Sequence, residues 1–167
     1  MKPQWPEEKA SAGGKERAGM SKPKKLGHVV LRVRELEKSE RFYTEALGLD
    51  VTARIPGRMV FLSASGESSH DLGLMSIGAD APRPDPGRAG MYHFAWEMES
   101  FEALQRIYWH LRERDVQIAG IGDHGISLGV YFLDPDGNEI EVFYELPRSQ
   151  WPQPPNDIFS GTFPRRL

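Results

Sequence analysis

The sequence contains no cysteine, and this absence excludes several classes of site at once. Disulfides, thiolate-bound metals, iron–sulfur clusters and a cysteine nucleophile all require that residue. The absence also fits a reducing compartment, so we expect a cytoplasmic protein. No apolar run approaches the ~20 residues of a transmembrane helix, and the N-terminus lacks the apolar stretch of a secretory signal. We therefore expect no membrane partner.

An excess of positive charge is also missing. The 167 residues include 21 Lys and Arg against 24 Asp and Glu, which gives a net charge of −3. A protein that follows nucleic-acid phosphates carries a clustered basic excess. We therefore expect no nucleic-acid partner, and small molecules or other protein chains are favoured instead.

Core-forming residues are scarce at both ends of the chain. Residues 1–25 mix Lys, Glu, Gly and Ser with few aliphatic side chains, which predicts a flexible tail. Residues 147–167 are rich in proline, which predicts an extended segment with Trp151 and Phe159 on the domain surface, over a pocket or against a neighbouring subunit. The core is therefore expected at 26–146.

The core divides into two similar parts, 26–78 and 91–146, because residues 79–90 carry three prolines and no apolar periodicity, as linkers do. LGHVVLRV at the start of the first part aligns with MYHFAWEM at the start of the second, with an offset of 65 residues. Apolar residues at helical spacing follow in both, over 36–49 and 101–116.

The ends of the two parts also match. VFLSASGESSHDLGLM at 60–75 aligns with YFLDPDGNEIEVFYEL at 131–146 with an offset of 71. Each of these segments predicts a strand, a turn and another strand. A further, weaker strand is indicated around 52–55 and 117–119. The prediction is an α+β fold of two tandem βαβββ modules. Such modules should pair about a pseudo-twofold axis, because each has an apolar sheet face that it cannot cover alone. The product would be a cleft or partial barrel.

Two of the five histidines, His28 and His93, occupy matching positions on the first strand of each module. Each alone could be an ordinary strand residue, but pseudo-twofold symmetry would bring both imidazoles to one point. Glu141 lies on the last strand, and a carboxylate in a sheet cleft is costly without a cation. Two His and one carboxylate on one face, with open positions remaining, are associated with non-haem Fe(II) oxygen chemistry. We therefore predict a metal site at His28, His93 and Glu141.

The tandem layout, the two His-bearing strands and above all the closing HGISLGVYFLDPDGNEIEVF resemble the vicinal oxygen chelate superfamily. That superfamily includes glyoxalases, fosfomycin-resistance proteins, bleomycin-binding proteins and extradiol dioxygenases. Within it, the chain is most similar to small extradiol dioxygenases of the catechol 2,3-dioxygenase type. This resemblance implies His28, His93 and Glu141 as metal ligands, Fe(II) as the metal with Mn(II) or another divalent ion possible, and an aromatic diol and O2 as substrates.

The same resemblance implies three catalytic residues. His70, aligned with Glu141 at the offset of 71, would either be a fourth metal ligand or serve as acid and base beside the oxygen site. His124 and Tyr131 would hydrogen-bond the bound catechol, and Tyr131 precedes Glu141 by the ten residues typical of the family. Each has an ordinary alternative: His124 as a loop residue, Tyr131 as a packed strand residue, and His70 as an exposed residue at the edge of a turn.

Other activities of the superfamily remain open. A fosfomycin-type transferase is disfavoured, because 120–131 contains no Lys or Arg to hold a phosphonate. A glyoxalase-like lyase or isomerase is the main alternative, and it would use a carboxylate where His70 is aligned. A metal-free drug-binding protein would not need His28, His93 and Glu141 together. A homodimer is plausible, because open sheet edges or the C-terminal aromatics could meet a second copy.

Overall fold

The computed structural model describes residues 21–85, 87–152 and 158–167, and these ranges form eight strands, two α-helices and one 3-10 turn. In chain order they are β1 (Val29–Val33), α1 (Leu36–Ala46), β2 (Asp50–Ile55), β3 (Met59–Ser63), β4 (Leu72–Ser76), β5 (His93–Glu97), α2 (Phe101–Glu113), β6 (Ile118–Asp123), β7 (Ser127–Leu133), β8 (Glu139–Glu145) and the 3-10 turn Arg148–Gln150. The prediction of a strand, a helix and three strands in each module is confirmed. Most of the predicted tail at 1–25 lies outside the described residues.

The strands form two mixed sheets of four, one for each module. Their orders are β1-β4-β3-β2 and β5-β8-β7-β6. In each sheet the first and last strands of the module pair in parallel, and the remaining pairs are antiparallel. This confirms the α+β class. In the described part of the chain no strand pairing joins the two sheets, so the barrel is not closed.

Each sheet buries one face against the helices. Alternate residues supply that face, as period-2 alternation requires: Leu31, Val33, Val60, Leu62, Leu72 and Leu74 in the first sheet, and Val130, Phe132, Ile140 and Val142 in the second. The opposite faces are more open. In the first sheet Val30 is 44% exposed and Ile55 43%. The predicted site residues lie on or beside these open faces.

Both helices end slightly earlier than their apolar spacing predicts. Each is followed, two residues after its last one, by a left-handed residue: Gly48 at φ 70° and Asp115 at φ 53°. A residue in that conformation terminates a helix. At the other end of α2 the Ser100 hydroxyl caps the helix by accepting the N–H of Ala103 at 3.1 Å.

The two modules are joined through α1 and the β7–β8 turn. The Tyr43 hydroxyl of α1 donates to Asp134 Oδ2 at 2.9 Å, and both residues are buried. The Phe42 ring lies 6.3 Å from that of Phe132. Burial and the neighbouring Asp134 carboxylate raise the pKa of Tyr43 well above its usual value, so this phenol stays a hydrogen-bond donor.

The pairing register corrects one sequence alignment. Val30 of β1 and Ala95 of β5 match at the offset of 65, and they pair with Gly73 and Glu141 respectively. Gly73 is therefore the first-module equivalent of Glu141. The alignment of His70 with Glu141 is wrong.

The reason lies in the connections between strands. The β3–β4 connection at 64–71 is longer than the β7–β8 connection at 134–138, so an alignment without gaps slips. His70 lies in the longer connection, just before β4.

The segments outside the modules are attached to them. In the linker at 79–90, the Ala79 carbonyl accepts from Arg34, and Arg83 donates to the Pro135 carbonyl at 3.0 Å. Past β8, Phe159 is 72% exposed, as predicted, whereas Trp151 is half-buried and its Nε1 donates to the Leu146 carbonyl at 2.8 Å. None of the described helices is long and apolar enough to cross a lipid bilayer.

Replacing Tyr43 by Phe tests the contact between the modules. The change removes a buried donor to Asp134, so the free energy of unfolding should fall by about 1–2 kcal/mol in a urea titration. Tyr108→Phe is the matched control, because the one hydrogen bond of the Tyr108 hydroxyl in the described part of the chain is an exposed one from Arg112, and it should change stability by less than about 0.5 kcal/mol. Equal effects of the two changes would contradict the role given to Tyr43.

Candidate metal centre and substrate cleft

His93 and Glu141 meet on the open face of the second sheet. His93 is the first residue of β5, and Glu141 lies opposite Ala95 in the paired strand β8. His93 Nε2 is 3.3 Å from Glu141 Oε2. Glu141 is only 7% exposed, so its charge needs a nearby compensating group.

A glycine on the neighbouring strand leaves space for the Glu141 side chain. A Cβ built on Gly129 of β7 would overlap the Glu141 carboxylate, so any larger residue there would displace it. Tyr131, also on β7, is the strand partner of Glu141. Burial and the neighbouring Glu141 carboxylate together raise the pKa of Tyr131, so its hydroxyl remains protonated at neutral pH.

His124, in the turn that follows β6, contacts this group of residues through Tyr131. Its Nε2 lies 2.9 Å from the Tyr131 hydroxyl, and the Tyr131 ring lies edge-on to that of His93, with centroids 5.4 Å apart. A Cβ on Gly122 would come within 2.7 Å of the Tyr131 ring and 3.0 Å of His124 Nε2. The absence of a side chain at Gly122 therefore lets these two residues meet.

These residues border a cleft of about 400 Å³. Its lining comes from the second module: Tyr92, His93, Ala119, Gly120, Ile121, Gly122, His124, Tyr131 and Glu139. Sequence reasoning missed Tyr92, Glu139 and the β6 glycines as site residues. The alternating glycines of AGIG were the available signal, because glycine inside a strand often marks a close approach by another group.

The remaining two predicted residues form a separate pair in the first module. The rings of His28 and His70 lie 4.4 Å apart, and Phe61 meets His70 edge-on at 5.1 Å. Ser69 Oγ is 3.1 Å from His70 Nδ1. His28 precedes β1 and is exposed.

The structure thus brings the six predicted site residues together in two groups. One holds His93, Glu141, Tyr131 and His124, and the other holds His28 and His70. Within the described residues, no three His, Asp or Glu side chains lie close enough together to bind a metal. The convergence of His28 and His93 predicted from pseudosymmetry is not found within the chain.

The second-module group has the donors of a partial metal site. His93 Nδ1 is buried without a hydrogen-bond partner, and no Lys or Arg of the described chain forms an ion pair with Glu141. To bind an ion shared with Glu141, His93 would use the lone pair of Nε2 and carry its proton on Nδ1. An imidazole nitrogen beside a carboxylate oxygen suits a first-row divalent ion. The residues therefore fit such an ion, with a third donor still required.

The family of the chain follows from comparison with known proteins. Residues 25–142 match the model of the Glyoxalase/Bleomycin resistance protein/Dioxygenase superfamily. The chain belongs to this superfamily, and the resemblance drawn from its motifs is confirmed.

Relatives within the superfamily carry two different activities. The chain is 33% identical to a catechol-2,3-dioxygenase of Bacillus subtilis over 130 residues, which make up 75% of this chain and 43% of the relative. It is 32% identical to a lactoylglutathione lyase of Neisseria meningitidis over 123 residues, 70% of this chain and 88% of the relative. The chain therefore spans less than half the length of the dioxygenase that it matches.

A solved structure supports the fold. The crystal structure of a glyoxylase/bleomycin resistance protein/dioxygenase domain from Frankia sp. EAN1pec superposes with a TM-score of 0.64 and 22% identity. The match covers 74% of this chain and 99% of that one.

Replacing Glu141 by Gln tests the electrostatics of the site. Because the negative charge of Glu141 favours the protonated phenol, its removal should lower the pKa of Tyr131 towards the ordinary value of about 10. Tyrosine 13Cζ NMR on the metal-free protein follows this titration. Glu145→Gln, on the same strand, is the control and should leave the Tyr131 titration unchanged. An unchanged titration in Glu141→Gln would show that Glu141 does not contact the phenol.

Proposed function

We propose that the protein is an extradiol ring-cleaving dioxygenase that acts on a catechol-type aromatic diol with O2. Its Fe(II), or another first-row divalent ion such as Mn(II), would be held by His28, His93 and Glu141. The observation that carries this proposal is Gly73, which stands where the first module would present a counterpart of Glu141. A glyoxalase-like enzyme would place a fourth, carboxylate ligand in that module.

The surroundings of Gly73 also disfavour a fourth ligand. A Cβ at Gly73 would lie 3.2 Å from Val30 Cγ2, so the branched side chain of Val30 occupies the space beside it. In the second module the residue equivalent to Val30 is the small Ala95, which leaves room for Glu141. The two modules thus carry side chains of different size at the equivalent position of their first strand, Val30 and Ala95. Only the second module presents a carboxylate opposite that position.

Three protein donors leave up to three positions on a six-coordinate ion. When bound, Fe(II) supplies a chelating point for both diol oxygens and for O2. The second-module residues then orient the diol. The Tyr131 hydroxyl can donate to a substrate oxygen, and His124 Nε2 at 2.9 Å from it can complete that hydrogen-bond network.

His70 is the proposed acid and base. It lies beside His28, with the two rings 4.4 Å apart, so it would adjoin the metal without being the equivalent of Glu141. Histidine is the residue type best suited to take up and return a proton near neutral pH. Ser69 Oγ, 3.1 Å from His70 Nδ1, can hold one ring nitrogen and leave Nε2 for the reactants.

A glyoxalase-like lyase or isomerase is the second candidate. It is favoured by the lactoylglutathione lyase of Neisseria meningitidis, of which the chain covers 88%. The absence of a carboxylate at Gly73 argues against it. A drug-binding protein without metal is less favoured, because it would not need imidazole and carboxylate donors on matching strands.

Anaerobic reconstitution with Fe(II) tests the proposed activity. Adding simple catechols in air should produce a yellow ring-cleavage product with matching oxygen uptake. His93→Ala and Glu141→Ala should each lose most of the bound metal and the activity, because each removes one of only three protein donors. Glu113→Gln, a change at an exposed residue at the end of α2, should retain both.

Two results would contradict the proposal. Turnover of a hemithioacetal without oxygen uptake on any catechol would favour the glyoxalase-like alternative. Full metal content in both alanine variants would show that the metal is bound elsewhere.

We further propose that a second copy of the chain completes the site. His28 and His70 lie with one sheet, and His93 and Glu141 lie on the other, with no strand pairing between the sheets in the described part of the chain. If the open face of the first sheet in one copy met that of the second sheet in another, His28 would join the partner's His93 and Glu141. A twofold dimer would contain two such sites.

Charge on the open faces is consistent with this pairing. Glu97 and Glu145 adjoin each other at the end of the second sheet, where burial and the charge of Glu97 raise the pKa of Glu145. Among the described residues neither forms an ion pair. Arg32, exposed on β1, is the first-module equivalent of Glu97 and is free of ion pairs in the described chain. In a dimer it could supply the missing cation.

Mixing two inactive variants tests the shared site. His28→Ala and Glu141→Ala should each bind little Fe(II) alone. In a mixed dimer one site would combine the native His28 of one chain with the native His93 and Glu141 of the other. Equal amounts unfolded and refolded together should therefore recover about a quarter of the wild-type metal and activity.

The control is a mixture of His93→Ala and Glu141→Ala, which can form no native site and should recover nothing. No recovery in the first mixture, from a protein that is dimeric by ultracentrifugation, would place all three ligands within one chain.

A further inference from the structure

The turn that carries His124 is tied to the C-terminal segment, which we define as residues 158–167. Asp123 Oδ1 accepts the backbone N–H of Gly125 at 2.9 Å and that of Phe163, also at 2.9 Å. One carboxylate oxygen therefore connects the two residues flanking His124 with a residue near the end of the chain. Hydrogen bonds to a charged acceptor are stronger than those to a neutral one.

Phe163 anchors the C-terminal segment. It is 3% exposed, and its ring stacks on Phe101 at 5.7 Å and meets Tyr144 edge-on at 6.3 Å. Two residues on, the Arg165 guanidinium lies 3.9 Å from the Phe101 ring centroid and pairs with Glu102 at 2.6 Å. The segment is thus fixed to α2 and β8, elements that form the framework of the second module.

The segment also approaches the turn from its other side. Gly125 has φ 78°, and a Cβ there would lie 2.6 Å from the Ser160 carbonyl oxygen. The backbone of His124 is held as well, because its N–H donates to the Ser127 carbonyl at 2.9 Å and its carbonyl accepts from Ile126 at 2.9 Å. The turn is therefore closed both by its own hydrogen bonds and by the C-terminal segment.

We propose that the C-terminal segment positions His124 for its contact with Tyr131 and substrate, with Phe163 as the positioning residue. This inference rests on the role of His124 under the proposed function. His124 is exposed, so its own packing does little to fix the imidazole. Phe163 acts at a distance, through Asp123 and the backbone of the turn. A placement error of about 1 Å in a catalytic group can cost on the order of 100-fold in rate.

Phe163→Ala in the full chain tests the proposal. Loss of the anchor should free the Asp123 contact, so the Gly125 amide should exchange with solvent at least about tenfold faster. With Fe(II) bound, kcat should fall about ten- to a hundredfold and the pH profile of kcat should shift, because His124 no longer holds its place. Metal content should stay near that of the wild type, since the Phe163 ring packs on Phe101 and Tyr144 and not on the proposed ligands.

Two further variants serve as controls. Phe159→Ala lies in the same segment but alters a side chain that is 72% exposed, and it should leave exchange, kcat and the pH profile unchanged. Phe163→Leu keeps an apolar side chain in the buried site and should restore most of kcat and the wild-type pH profile.

A wild-type pH profile in Phe163→Ala, whether kcat is retained or falls in proportion to melting temperature and metal content, would leave Phe163 a purely structural residue. If the wild-type holoprotein cleaves no catechol, the proposed function fails by itself. Faster Gly125 exchange together with altered 15N signals of the His124 ring would still support positioning of His124, and unchanged signals would overturn it.

Discussion

The burial of the Glu141 carboxylate is the constraint on which the second module depends. A carboxylate that is 7% exposed is unfavourable without compensation, and the described chain gives it no Lys or Arg. Its neighbours instead are an imidazole, a phenol donor and a glycine without which it would not fit: His93, Tyr131 and Gly129. Such compensation is partial in the isolated chain, and a divalent cation at the same point would complete it.

The fold could be predicted from the sequence because each module repeats the same apolar periodicities. Alternation on the strands and helical spacing on α1 and α2 depend on local burial, which the sequence records directly. The ends of the helices were harder to predict from the sequence. They are set by single left-handed residues, and Asp115 signals that conformation more weakly than Gly48 does.

The site was only partly predictable, for two physical reasons. Equivalence between the modules depends on the lengths of connections, and the longer β3–β4 connection moved His70 out of register with Glu141. In addition, the apolar periodicity of the sequence predicts the strands and helices of each module but not how the two modules pack against each other. The buried bond from Tyr43 to Asp134 joins them through α1 and the β7–β8 turn. His28 lies with His70 and His93 lies with Glu141, a grouping that the matching positions on the two first strands do not predict.

The contrast between Gly73 and Glu141 connects the fold to the choice of chemistry. One scaffold serves both dioxygenases and glyoxalase-type lyases, so the reaction must depend on features that differ at equivalent positions. A fourth protein ligand would fill a position that an oxygen-using enzyme needs for a reactant. Here Val30 crowds Gly73, whereas Ala95 leaves space for Glu141. The first strand of one module thus carries Val30 where that of the other carries Ala95, and only the module with Ala95 presents a carboxylate from its last strand.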